Sequence, residues 1–147
     1  MRRPVIIEII CYAFFFLFVY ASFAKLFIYP TYLRDLGRSP LIGNFAFTLS
    51  VAVPAVELMI AIILLIPRYR QQGLIASFVL MTLFSLYVAY VVCFAEKRPC
   101  SCGGIFRDMG WSTHLVFNIG MTILACIGIG LNKKSDEVRG GVTTTSC

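Results

Sequence analysis

The chain has 147 residues, of which 59% are hydrophobic, 14% aromatic and 14% charged, a balance far to the apolar side of a soluble domain. That excludes an ordinary soluble enzyme, and since a spanning helix takes about 20 apolar residues, four spans leave no room for a separate soluble domain. The net charge of +6, from 13 Lys and Arg against 7 Asp and Glu, reads as membrane topology and not as a nucleic-acid footprint. The basic stretches lack the aromatic interleaving that single-strand binders use.

Four apolar segments follow in chain order and predict an all-α, polytopic membrane four-helix bundle over residues 1–134. The first, 5–28, is interrupted only by Glu8 and Lys25. Its Arg2-Arg3 start and Ser22-Phe23-Ala24 resemble a signal peptide, but the run exceeds the usual h-region of about 7–15 residues and fills a span, so it is read as a retained helix. The second, 45–66, carries Pro54 and Glu57 and stops at Pro67-Arg68-Tyr69-Arg70, where proline and charge end a helix. The third, 73–95, has no charged residue, and the short connector before it makes segments two and three antiparallel neighbours. The fourth, 111–131, ends before Asn132-Lys133-Lys134. Residues 135–147 are polar and Gly/Thr-rich and are expected to form a flexible tail.

Arg2, Arg3, Arg68, Arg70, Lys133, Lys134 and Arg139 fall on one side of such a bundle, and Arg34, Arg38, Lys97, Arg98 and Arg107 on the other. The bias of seven to five predicts cytoplasmic termini. The loop 96–110 then lies outside.

That loop holds Pro99-Cys100-Ser101-Cys102-Gly103-Gly104. A Cys-x-Cys disulfide is small and strained, and strain favours exchange over permanence. Lys97, Arg98, Arg107 and the N-terminus of the following helix favour the thiolate. The two glycines let the backbone turn and a partner thiol approach. Trp111 suits the membrane interface and Ser112-Thr113 can cap the fourth helix. His114 and Asn118 are four residues apart and so share one helix face beside the loop. His114, the single histidine, suits a proton relay, although a lone interfacial histidine is also a common polar helix end. Asn118 is suited to an interhelical hydrogen bond or to orienting the histidine.

Two other readings stand beside thiol exchange. Cys100, Cys102 and His114 supply two soft ligands and an imidazole for copper or zinc, one ligand short of a closed tetrahedron. Alternatively the cysteines form an inert structural disulfide or stay free. Cys93, seven residues before Cys100, is a candidate resolving thiol or a small core residue. Cys11 and Cys126 fall at similar depth, where a cross-helix bridge is conceivable and a buried inert role is favoured. Cys147, the last residue, does not fit a C-a-a-X box.

Glu57 near the middle of segment two is costly in lipid unless protonated, paired or hydrated. Lys25 is its natural partner. Counting from the outer ends puts Lys25 about one turn deep and Glu57 about three, so contact requires snorkelling or a helix break at Pro54. Either way both residues point to a polar interior between the first two spans, able to hold a quinone or a proton path. Glu8 belongs to the opposite interface.

Lys25 late in the first helix, Pro54-x-x-Glu57, Pro67-x-x-Arg70-x-x-Gly73, and Pro99-Cys-x-Cys-Gly-Gly before a Trp111-led fourth helix resemble the DoxX-like superfamily, specifically its MauE branch, over roughly residues 5–131. The resemblance implies a redox-associated inner-membrane protein needed for maturation of methylamine dehydrogenase, a disulfide-rich envelope enzyme, with Cys100 and Cys102 as the periplasmic redox pair. The helix count is also similar to that of the membrane thiol oxidoreductases of the disulfide-forming and vitamin K epoxide reductase type, which pass electrons between thiols and a quinone. Those enzymes carry Cys-x-x-Cys where this chain has Cys-x-Cys.

The leading expectation is therefore an inner-membrane thiol-disulfide protein that exchanges electrons with an envelope partner bearing thiols or disulfides. Cys102 is the more acidic thiol and Cys100 resolves it; His114 moves protons, Asn118 orients it, and Lys25 with Glu57 shapes the interior. The competing expectation is a non-enzymatic subunit or assembly factor of a larger membrane complex. Membrane lipid is a partner in both, and nucleic acid in neither.

Overall fold

A computed structural model describes residues 2–39, 41–94 and 111–142. The described chain is helical without strands: α1 (Arg2–Phe27), α2 (Tyr29–Gly37), a 3-10 turn at Gly43–Phe45, α3 (Ala46–Leu65), a second at Pro67–Tyr69, α4 (Arg70–Phe94) and α5 (Trp111–Val142). Four stretches, Val5–Phe27, Gly43–Leu65, Pro67–Phe94 and Ser112–Lys134, are long and apolar enough to cross a membrane. Many of their large apolar side chains face outward, among them Ile9, Phe16, Phe47, Ile62, Leu86 and Val116, as a bilayer solvent requires.

Proline sets the breaks. Pro30 lies in the first turn of α2; continued as one helix, it would remove a hydrogen bond and clash with the preceding turn, so α1 stops and a new helix starts where a missing N–H costs nothing. Ile66, before Pro67, is extended at φ −90° and ψ 111°, the conformation proline imposes on its predecessor. This ends α3 and turns the chain directly into α4.

The spans form a ring. α1 packs on α3, α3 on α4, α4 on α5, and α5 closes back on α1; α1 and α4 meet only lightly across the middle, and α3 and α5 do not touch among the described residues. One end of the ring is packed solid. Ile7, Ile10, Phe14 and Phe18 of α1, Ile60, Ala61 and Leu64 of α3, Leu74 and Met81 of α4 and Ala125 of α5 form a single core. A Cβ on Gly128 would lie 3.1 Å from Leu74 Cδ2 and 3.2 Å from Ile10 Cγ2, so its lack of a side chain lets α5 seat against α1 and α4. At the same end Arg70 lies 3.8 Å from Glu8 and Asn132 donates to Gln71 Oε1 at 2.8 Å.

Two helical stretches lie beyond the four expected spans. Between the first two spans α2 packs against α3 and buries Tyr32 and Asp35. The tail expected to be flexible from residue 135 is helical as far as Val142; an established helix gains one bond per added residue, and no proline follows to stop it.

Candidate functional site: a polar cluster in an apolar cavity

At the opposite end, where α4 finishes and α5 begins, the ring is open inside. A cavity of about 600 Å³ is lined by all five helices, within the range of small-molecule sites. Its walls are mostly Leu, Val, Met and Phe, but Lys25, Glu57, His114 and Asn118 all line it. Four residues singled out by their chemistry, from three helices, thus share one chamber.

Lys25 and Glu57 are in direct contact: Lys25 Nζ donates to Glu57 Oε1 at 2.5 Å, and the Glu57 side chain is wholly buried. Counting depth from the outer ends separates the two because it takes both segments to end at one level. In the structure the early turns of α3 rise beside α2, which brings Glu57 level with the last turns of α1. Ser22, one turn before Lys25, fixes this register. Its Oγ lies 3.0 Å from Glu57 Oε2 and 3.0 Å from the Pro54 carbonyl oxygen, sharing one proton between them. Lys25 Nζ also lies 5.7 Å from the centre of the Phe84 ring, a cation–π distance. Both carboxylate oxygens therefore have donors, and the ammonium has a carboxylate and a ring face.

α2 roofs the chamber. Tyr29 donates to Ser50 Oγ at 3.0 Å, while Ser50 in turn donates to the Phe47 carbonyl at 2.7 Å. Tyr87 of α4 donates to Ser39 Oγ just past α2, at 3.0 Å. Tyr32 points into the cavity, and burial, reinforced by Glu57, Tyr87 and Tyr29, holds its phenol well above the ordinary value. It stays a neutral donor across the biological pH range.

Among the described residues two polar atoms of this chamber lack a partner: Asn118 Nδ2 and Asp35 Oδ2, on residues only 3% and 7% exposed. The interhelical bond, or the bond orienting His114, expected of Asn118 is not made by its amide donor among the described residues. Asp35 was missed; only its place on an amphipathic helix, one turn after Tyr32, signals burial.

The remaining expected site residues divide. Cys100, Cys102 and Arg107, and with them the metal reading, lie outside the described residues, as does Cys147. Trp111 is the first residue of α5. Cys93, on the last turn of α4, is an exposed free thiol and not a core residue. Cys11 is free and buried, Cys126 free and exposed, so no bridge joins them; Cys11 faces the core and Cys126 faces away from it.

Residues 3–131 match the family model described as methylamine utilisation protein MauE. No curated protein matches the chain. No solved structure matches it either.

Proposed function

Because the chain belongs to the MauE family of methylamine utilisation proteins, over a region that takes in three spans and most of the fourth, we propose that it is an inner-membrane thiol-disulfide protein acting in maturation of an envelope enzyme. Cys100 and Cys102 exchange electrons with a periplasmic partner, and both termini are cytoplasmic. The wider DoxX-like kinship read from Lys25 and Pro54-x-x-Glu57 belongs to the same reading.

The observation that supports it is the place of the polar chamber. Lys25, Glu57, His114 and Asn118 line a cavity at the end of the bundle where α4 ends at Phe94 and α5 begins at Trp111. The chain between those points carries both cysteines. In exchange, one thiolate attacks a partner sulfur to form a mixed disulfide and the second thiolate resolves it. Two electrons pass between the pairs, in the direction set by their relative potentials. His114, half-buried beside the ion pair, is the group suited to take or return the accompanying proton.

Thiol trapping followed by mass spectrometry tests this. Cys100 and Cys102 should label only after reduction in cells grown aerobically, and Cys100→Ser should trap a mixed disulfide through Cys102. If neither cysteine changes its labelling with redox state, or if the doubly substituted Ser protein still supports maturation, the exchange reading fails and the protein is a structural assembly subunit.

A further inference from the structure

The chamber has features that the ion pair does not use. Asn118 offers an amide donor and Asp35 a carboxylate acceptor, both buried and without a partner among the described residues. They stand on α5 and α2, helices that do not touch one another. Native folds hold few such atoms, and each calls for something to meet it. With no close approach between α2 and α5, a single ligand serving both walls has to reach across the cavity. A molecule with oxygen atoms at opposite ends of a ring can do so. Between the walls the lining is apolar, with Phe18, Met81 and Phe84 facing the space.

The rim is equally informative. Leu41, Leu83 and Leu86 belong to the lining, yet are 57%, 57% and 63% exposed, and the last two lie on a membrane span. The cavity therefore communicates with the acyl-chain region through apolar side chains, and what enters it partitions from lipid.

We propose that this cavity binds a lipid-soluble quinone. The ring lies between the α2 and α5 walls, one oxygen toward Asn118 Nδ2 and the other toward Asp35, and the tail leaves past the leucine rim. The oxidised ring accepts a hydrogen bond from Asn118, and the reduced ring donates a hydroxyl proton to the Asp35 carboxylate. The site rests on the thiol reading above only for its source of electrons. Closing a disulfide between Cys100 and Cys102 releases two electrons and two protons, and a quinone that takes up two of each becomes the quinol, so nothing further is consumed.

The test is saturable binding of tritiated decylubiquinone to the full-length protein immobilised in detergent. Competitors are unlabelled decylubiquinone, a short-tailed naphthoquinone, and decylbenzene, which keeps a ring and tail but has no oxygen. Binding should saturate near one per chain, yield to either quinone and resist decylbenzene. Asn118→Leu should weaken binding of the quinone at least ten-fold, and Asp35→Leu should weaken binding of the tritiated quinol, kept reduced with dithionite, by as much. Val53→Phe, which fills the cavity while keeping every hydrogen-bonding group, should abolish it and keeps the test decisive if a polar variant fails to fold. Absence of saturable binding, equal competition by decylbenzene, which would mark a groove for lipid tails, or unchanged affinity in all three variants overturns the proposal. Thiol labelling with added quinone separates the two readings. Saturable binding with unresponsive cysteines keeps the site and sinks thiol exchange, whereas cycling cysteines without binding sink the site alone.

Discussion

Glu57 has no exposed surface and is held from two directions, by Lys25 Nζ and by Ser22 Oγ. A buried pair of this kind contributes little net stability relative to apolar residues of the same shape, but removing one partner strands the other charge at a cost of about 3–5 kcal/mol. Lys25→Met and Glu57→Leu should therefore each lower the thermal stability of the detergent-solubilised protein sharply. The double variant should recover most of the loss. Singles and double that melt alike would show that the pair is not coupled as its geometry implies. Both residues are legible in the sequence as charges out of place in apolar runs. Their contact is not, because register between two helices depends on where the intervening chain goes, and here it is the fold of α2 against α3 that sets it.

Among the elements, α2 carries the lesson about legibility. Tyr29, Tyr32, Leu33 and Leu36 repeat at helical spacing behind a proline in the first turn, a start signal in plain view. It is masked by Arg34, Asp35 and Arg38, which make the stretch look like a polar loop. The four long apolar helices need no such subtlety, since length and composition alone specify them. Close packing of α5 is a second property of elements. Gly128 sits against Leu74 and Ile10 at distances that leave no room for a side chain, so Gly128→Leu should push α5 off the ring and cost about 1–3 kcal/mol. Gly120→Leu, at a position with nothing within 4 Å, should be near neutral in the same melting experiment. Equal effects at the two sites would refute the close approach.

For the whole molecule the division of labour runs along the bundle axis. The end where α3 turns into α4 is filled by the common core, and the end where α4 and α5 approach the cysteine segment holds the chamber. Periodicity and composition speak for single helices, so they bring His114 and Asn118 together on one face. Only the assembled ring adds Lys25, Glu57 and Asp35 to that face. Orientation in the membrane is also a property of the whole. If the cysteine loop lies outside, as proposed, a membrane-impermeant maleimide applied to intact spheroplasts should label a protein whose single cysteine is Cys102, and should leave one whose single cysteine is Cys147 untouched until the membrane is permeabilised. The opposite pattern would invert the topology and place the proposed exchange in the cytoplasm.

The register of α1 against α3 has a consequence for how the protein is made. A carboxylate left alone at mid-bilayer costs on the order of 3 kcal/mol on insertion scales, which would hinder release of an isolated α3 into lipid. Lys25 leaves the ribosome 32 residues ahead of Glu57, so the ammonium already resides in the membrane when the carboxylate arrives. On this order of synthesis the first span offers the second its counter-ion, so that the buried Lys25–Glu57 pair can enter lipid without a net charge of its own.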